Sequence, residues 1–331
     1  MKTMGYKVSV LTCNDSLNAK KYCEFYNVIK KFSYKNIIES LKNINTKYSR
    51  KIILGSGITE MINTKKKFSK FHFLWNDPRI IFKLNDPIHL FTKLSSLGVK
   101  IPNWRKTAPK DGNYLHKDIR SHGGLFVSRY DKMRRIKPHK KKYFQQFIEG
   151  RNVSVQFFSE PGKFEIFSTC LQWNYSLSGR NFLLGGIVAI KLEESLMEKV
   201  TEVVKLVVTN FELVGINSID FIISDNNREI YLIEINPRPG LSSKIICRKK
   251  LKKKIINFSS QIIYCQKDKF FSAQSIKKLP KISSNAEFTE VPFPGTFIKK
   301  NQPICLVHKE IKSLDSLKLE YTKIVKEINN I

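Results

Sequence analysis

The chain has 331 residues, 41% hydrophobic and 11% aromatic, which supports a globular protein of two or three lobes around a shared cleft. No run approaches the roughly 20 apolar residues of a membrane span, and the start, MKTMGYKVSVLTCND, has neither the apolar core nor the cleavage site of a signal peptide, so a cytoplasmic location is expected. The 59 Lys and Arg against 28 Asp and Glu leave a formal net charge of +31; the basic residues are dispersed in short runs among abundant Ile, Asn and Phe, with no zinc finger or RNP-like motif, which argues against a dedicated nucleic-acid partner.

From the start to residue 85, short apolar runs alternate with helix-like stretches. Tyr6 to Thr12, Lys51 to Gly55 and Phe71 to Trp75 read as strands, and Tyr34 to Ile44 as a helix, so residues 1–85 are expected to form an α/β lobe with a parallel sheet. The sequence enters a strand almost at once, which suggests a clipped lobe or a misassigned start. From Asp86 to Leu97 apolar residues recur at helical spacing behind an Asp-Pro start, and Gly98 supplies the stop.

Between residues 114 and 173 short β-rich segments follow one another: Tyr114 to Lys117, Leu125 to Ser128, Tyr143 to Ile148, Val153 to Phe158 and Phe164 to Trp173. Glu193 to Asn210 is an amphipathic helix, residues 216–236 form a hairpin, and Ser242 to Tyr264 reads as a basic helix. Residues 266–331 read as a hairpin-plus-helix appendage ending in a helix from Leu314 to Ile328. The expected division is therefore an N-terminal α/β lobe over 1–85, a nucleotide-binding domain over 86–265 and an appendage over 266–331. The six cysteines contain no CxxC pair, which argues against a zinc site or a disulfide framework.

The chemistry is concentrated in GINSIDFIISDNNREIYLIEINPRPG, residues 215–240. Alternation along an extended strand puts Tyr231, Ile233 and Ile235 on one face and Glu234 and Asn236 on the other, about 7 Å apart. In the preceding strand Ile219, Phe221 and Ile223 form the apolar face and Asp220 points the other way. A turn centred on Asn227 places Asp220 directly across from Glu234. Asp220, Glu234 and Asn236 then converge as the few hard oxygen ligands that Mg2+ uses when phosphates and water complete its octahedron.

The strand pair GINSIDFIISD and EINPRPG resembles the metal-binding hairpin of the ATP-grasp superfamily, G-x-x-x-x-D-F followed by E-x-N-P-R. The resemblance implies a two-subdomain α+β fold behind the N-terminal lobe. It also implies that Asp220, Glu234 and Asn236 bind Mg2+, for which Mn2+ can stand in, and that Arg238 steadies a phosphate or an acyl phosphate. YFQQFIEGRNVSV is similar to the family's hinge strand, vqEfIeGxExSv, which puts adenine-contacting backbone at Gln146, Phe147 and Ile148 and sets Asn152 where the ribose-binding glutamate usually stands. YLHKDIRSHGG resembles the family's lysine strand and glycine-rich loop, with Lys117 on the α- or β-phosphate and Gly123 and Gly124 admitting loop N–H groups to the phosphates.

These motifs cover residues 85–265 and imply an enzyme: an ATP-dependent ligase joining a small-molecule carboxylate to an amine. The tail PFPGTFIKKNQPICLVHKE is similar to that of a methanogen and methylotroph group that includes tyramine-glutamate ligase, which points to glutamate and an amine in methanofuran- or methylofuran-type cofactor biosynthesis. Arg180, in the loop SLSGRNFLLGG, is expected to border the acceptor pocket and hold a second carboxylate. His116 and His122 flank the phosphate loop and are expected in a polar surface role. A homodimer is left open. So are two other classes: a catalytically degenerate ATP-binding protein, favoured by Asn152 and the short N-terminus, and a basic nucleic-acid-binding protein, favoured by charge alone.

Overall fold

The computed structural model describes residues 7–42, 44, 51–59, 72–119, 123–131, 141–177, 179–250 and 253–331. By contact they cluster into two units, Met1–Arg50 with Asn257–Ile331, and Lys51–Ile256. The expected boundaries at 85 and 265 follow motifs whereas these units follow packing, and the two divisions differ because distant stretches of the chain share the first unit.

In the first unit β1 (Ser9–Thr12), α1 (Leu17–Tyr22), β2 (Phe25–Val28) and α2 (Tyr34–Lys42) open the chain. β1 and β2 are parallel, as expected for an α/β lobe. The second unit begins with α3 (Pro78–Leu84) and α4 (Pro87–Ser96). Both helices start on an Asp-Pro pair: Asp77 accepts from Arg79 N at 2.7 Å and Asp86 from Ile88 N at 3.0 Å, each satisfying a donor that the helix leaves open. The Lys51 to Gly55 and Phe71 to Trp75 stretches contribute a single parallel bridge, Ile52 to Phe73, rather than full strands; Phe71 lies outside the described residues.

The second unit continues with β3 (Trp104–Arg105), β4 (Tyr114–Asp118), β5 (Val127–Arg129), β6 (Lys142–Gln146), β7 (Gly150–Glu160), β8 (Lys163–Leu177), β9 (Arg180–Ile190), α5 (Glu194–Phe211), β10 (Gly215–Ser224), β11 (Ile230–Asn236) and α6 (Ser243–Lys250). They form two antiparallel sheets, ordered β3-β6-β4-β5 and, within this unit, β11-β10-β7-β8-β9. This is the two-subdomain α+β arrangement that the resemblance implied. One face of the larger sheet is sealed by a core in which Phe91, Leu94, Val200, Val204 and Val207 from the helices meet Val153, Val155, Ile219, Phe221 and Leu232 from the strands. Burial of that face leaves the opposite one to carry polar groups.

The first unit resumes with β12 (Phe258–Tyr264), β13 (Lys269–Phe271), α7 (Ala273–Ile282), β14 (Glu287–Thr289), β15 (Thr296–Ile298), β16 (Pro303–Glu310) and α8 (Leu317–Asn330). Two expectations are corrected here. The basic helix expected over Ser242 to Tyr264 ends at Lys250, because the like-charged Lys249 to Lys254 run gives little helical support; FSSQIIY instead pairs with β16, Phe258 opposite Glu310. The appendage expected beyond residue 266 holds more than a hairpin and a helix, since α7, capped by Ser272, and β14 belong to it. None of the six cysteines, all among the described residues, is in a disulfide. No helix among the described residues is long and apolar enough to cross a membrane.

Candidate active site

The β10–β11 hairpin turns through residues 225–229, with Arg228 N donating to Ser224 O at 3.0 Å and Ser224 N to Glu229 O at 2.9 Å. The resulting register sets Asp220 opposite Glu234 and Ser218 opposite Asn236. The strict alternation expected along β11 does not hold. Asp220 faces Glu234 but Phe221 faces Leu232, so Ile233 is the extra residue of a β-bulge. Ile230, Leu232 and Ile235 therefore reach the core, while Ile233, Glu234 and Asn236 line the cavity on the other side. Tyr231, Ile233 and Ile235 do not share the apolar face, because one inserted residue shifts the phase of a two-residue period. In β10 the expected pattern stands: Ile219, Phe221 and Ile223 are buried in the core and Asp220 faces the cavity.

Around Asp220 the neighbouring strands supply donors. Asn236 Nδ2 donates to Asp220 Oδ2 at 3.1 Å, and Gln172 Nε2, from β8, donates to Oδ1 at 3.3 Å. Ser154 of β7 pairs with Asp220 in register. Arg238 Nη2 donates to Asn236 Oδ1 at 3.0 Å. Burial raises the Asp220 pKa, and Ser154, Arg238, Asn236 and Gln172 oppose it. A carboxylate desolvated to this degree calls for positive charge nearby.

The smaller sheet supplies that charge. Lys117, from β4, donates to Gln145 Oε1 of β6 at 2.7 Å. Burial lowers the Lys117 pKa, partly offset by Glu234 and Asp220. The Gln145 side chain is 1% exposed, yet its Nε2 has no partner among the described residues. A cavity of about 390 Å3 lies here, within the size range of small-molecule sites. Its lining includes Lys117, Gly123, Gly124, Gln146, Phe147, Ile148, Asn152, Asp220, Glu234, Asn236 and Arg238.

Further round the cavity, the N–H groups of Gln146 and Phe147 are taken by Asn103 O at 2.6 Å and Asn113 O at 3.0 Å. The Arg129 guanidinium sits 3.2 Å from the centroid of the Phe147 ring. Gly124 has φ +74, and a Cβ there would collide with the main chain of Phe182, so only glycine lets the loop approach β9 this closely. Leu184 N donates to Gly123 O at 3.0 Å.

Residues 84–242 match the ATP-grasp domain family. This stretch is an ATP-grasp domain. Among solved structures, the chain is similar to N5-carboxyaminoimidazole ribonucleotide synthetase from Thermotoga maritima, with TM-score 0.65, 15% identity, and 99% of this chain and 93% of the other covered. The corresponding synthetase from Staphylococcus aureus, complexed with ADP, gives TM-score 0.69 at 13% identity, covering 98% and 92%. L-amino acid ligase from Bacillus licheniformis gives 0.66 at 13%, covering 92% and 87%. At such identities the likeness is one of fold. A curated relative, an uncharacterized protein of Methanocaldococcus jannaschii, is 25% identical over 200 residues, 56% of this chain, and the match spans about half of the relative's length.

Every ATP-grasp residue predicted above lines the cavity except Arg180. The SLSGRNFLLGG stretch is the end of the β8–β9 hairpin rather than a loop, with Arg180 exposed beside Gly179 and paired with Leu177, while Phe182 and Leu184 of the same stretch line the cavity. A reading of glycines as loop signals does not foresee that β8 runs on to Leu177 and β9 starts at Arg180. His116 is likewise not at the surface but buried, stacked on Phe144 with ring centroids 5.0 Å apart; His122 lies outside the described residues. Gln145, Gln172 and Ser154 went unpredicted. The period of two in LQWNY does set Gln172 apart from its apolar neighbours, whereas Gln145, beside Gln146, carries no signal of its own.

Proposed function

We propose that the chain is an Mg2+-ATP-dependent ligase that joins a carboxylate to an amine through an acyl phosphate. The observation that carries this reading is the register of Asp220 on Glu234, with Asn236 and Arg238 hydrogen-bonded around them and Lys117 in the same cavity. The donor set fits a hard cation: two carboxylates and an amide whose oxygen accepts one hydrogen bond and keeps a second lone pair. Mg2+ bound there offsets charge on the transferring phosphate.

In this reading Lys117 and Arg238 hold phosphate oxygens, and the glycine loop lets main-chain N–H groups approach them. Because the Gln146 and Phe147 N–H groups are engaged, the adenine edge is met by the Gln146 carbonyl and the Ile148 N–H. Asn152 takes the ribose hydroxyls as a neutral partner. The reacting carboxylate receives the γ-phosphoryl group, and the amine then displaces phosphate, leaving ADP, phosphate and an amide. Positioning and electrostatics do this work without a protein nucleophile.

The narrower reading is that glutamate is joined to a primary amine in biosynthesis of a methanofuran- or methylofuran-type cofactor. It rests on the tail Val291 to Glu310, with the fold likeness to an L-amino acid ligase in its favour. With Arg238 on phosphate, Arg180, on the hairpin whose Phe182 and Leu184 line the cavity, is the candidate for holding the second carboxylate. The net charge is compositional, with at most weak, salt-sensitive nucleic-acid binding.

The test is ADP release with Mg2+-ATP, amino acids and primary amines, read together with product mass. ADP formation that needs both substrates and yields an amide is the expected result. Nucleotide binding without turnover in any combination would support the degenerate ATP-binding reading, and no nucleotide binding at all would sink both.

A further inference from the structure

Asn76 lies in the short segment before α3, far in sequence from the hairpin, and is 4% exposed. Its side chain makes three hydrogen bonds. Oδ1 accepts from Val214 N at 2.8 Å, and Nδ2 donates to Asn217 Oδ1 at 2.6 Å and to Pro237 O at 3.0 Å. Asn217, fully buried on β10, donates in turn to Ser159 Oγ at 3.1 Å and Gly215 O at 2.8 Å. The preceding residue, Trp75, is packed so close to Gly215 that a Cβ there would overlap its ring, and the glycine has φ +82.

Pro237 stands between Asn236 and Arg238, and Arg238 N donates to Asn236 O at 2.8 Å, closing a three-residue turn. Having no N–H, Pro237 can be anchored through its main chain only by its carbonyl. Asn76 holds that carbonyl from a buried position where water offers no substitute, so the bond resists exchange. The direction in which Asn236 and Arg238 face the cavity therefore depends on a residue outside both the hairpin and the cavity lining.

We infer that Asn76 is a positioning residue for the proposed phosphoryl-transfer site, fixing Asn236 and Arg238 through the Pro237 carbonyl. The inference rests on the ligase reading for its activity readout but not for its geometry. Asn76→Ala is expected to lower kcat for Mg2+-ATP turnover by about 10- to 100-fold, since misplacement near 1 Å costs on that order. It should also raise the Mg2+ concentration for half-maximal turnover, while metal-free ADP affinity, set by the hinge strand, stays within about twofold of wild type.

Asn217→Ala separates positioning from stability: it removes a partner of Asn76 and opens the same buried network, yet leaves the Pro237 bond. It should lower Tm with little change in Mg2+ dependence. Wild-type Mg2+ dependence and kcat in folded Asn76→Ala, or the same shift in both variants, overturns the proposal. If Asn76→Ala does not accumulate folded, Asn76→Ser, which also cannot reach Pro237, takes its place. In the unaltered protein, the Asn76 side-chain amide protons should exchange slowly with D2O; fast exchange overturns the proposal without any variant. A wild type that binds ADP but turns over no substrate pair would remove the ligase reading and leave the amide measurement to decide the tie.

Discussion

Buried polar groups are handled differently in the two units. In the unit containing β12 and β16 most of them close on one another: His308 is joined to Ser260 Oγ through Nδ1 and to Thr289 Oγ1 through Nε2, both at 2.7 Å. Ser259 Oγ meets Tyr321 OH at 2.8 Å, and Asn329 accepts from Gln266 N and donates to Tyr264 O. Only Gln261 Oε1 lacks a partner there among the described residues. In the ATP-grasp domain the equivalent groups are half closed. Asp220 is held by donors on one side and faces a cavity on the other, and Gln145 uses its oxygen on Lys117 while its Nε2 has no partner among the described residues. A closed network specifies a fold, whereas a half-closed one leaves its desolvation to be offset by a ligand.

The sharpest way to break this contrast is Glu234→Gln. Removing a carboxylate from a phosphoryl-transfer metal site should lower kcat on the order of 1000-fold, with Tm little changed. Steady-state ADP release and thermal unfolding of the same preparation check both halves, and retained turnover would refute the site.

On the closed side, His308→Ala should destabilise the fold by about 3 kcal/mol, since it leaves a cavity and strands the buried Ser260 hydroxyl and the partly buried Thr289 hydroxyl. Urea unfolding measures it; a loss below about 1 kcal/mol would show that the network is not a structural hub.

The Lys309–Glu320 pair gives a pH-dependent version of the same test. The two charges are 2.6 Å apart and largely shielded. Burial alone would raise the Glu320 pKa, but the Lys309 ammonium, the Ser316 hydroxyl and the Lys312 N–H outweigh it and bring it to about 2. A lowered carboxyl pKa stabilises the folded state above the unfolded value and loses that stabilisation as pH falls through the folded value. Glu320→Gln should therefore cost on the order of 2 kcal/mol at neutral pH, with the gap to wild type closing between about pH 4.5 and 2. A gap that does not depend on pH would contradict the assignment.

The smallest effect is expected at Gln145→Leu. Without its amide the unpartnered donor disappears, so stability should change by less than about 1 kcal/mol. Lys117 loses its anchor, and ATP affinity should fall by about tenfold. Isothermal titration checks this, and unchanged affinity would mean that Gln145 takes no part in nucleotide binding.

Some of this was decided by local sequence. Asp77-Pro78 and Asp86-Pro87 start helices because a capping carboxylate and a preset φ act within one turn. The polar stretch Asp225 to Arg228, between two apolar runs, sets the hairpin register and with it the meeting of Asp220 and Glu234. The order of the lysine strand, hinge strand and metal hairpin is equally legible, since each motif is a short contiguous signal. Other features belong to tertiary structure. Whether residues 253–264 continue a helix depended on β16, a distant strand that offers Phe258 to Tyr264 a partner. The bulge at Ile233 answers to packing on both faces of β11, which alternation in one strand cannot register. The burial of His116 and the reach of Asn76 to Pro237 each depend on groups far along the chain, and only folding determines which distant atoms a side chain meets.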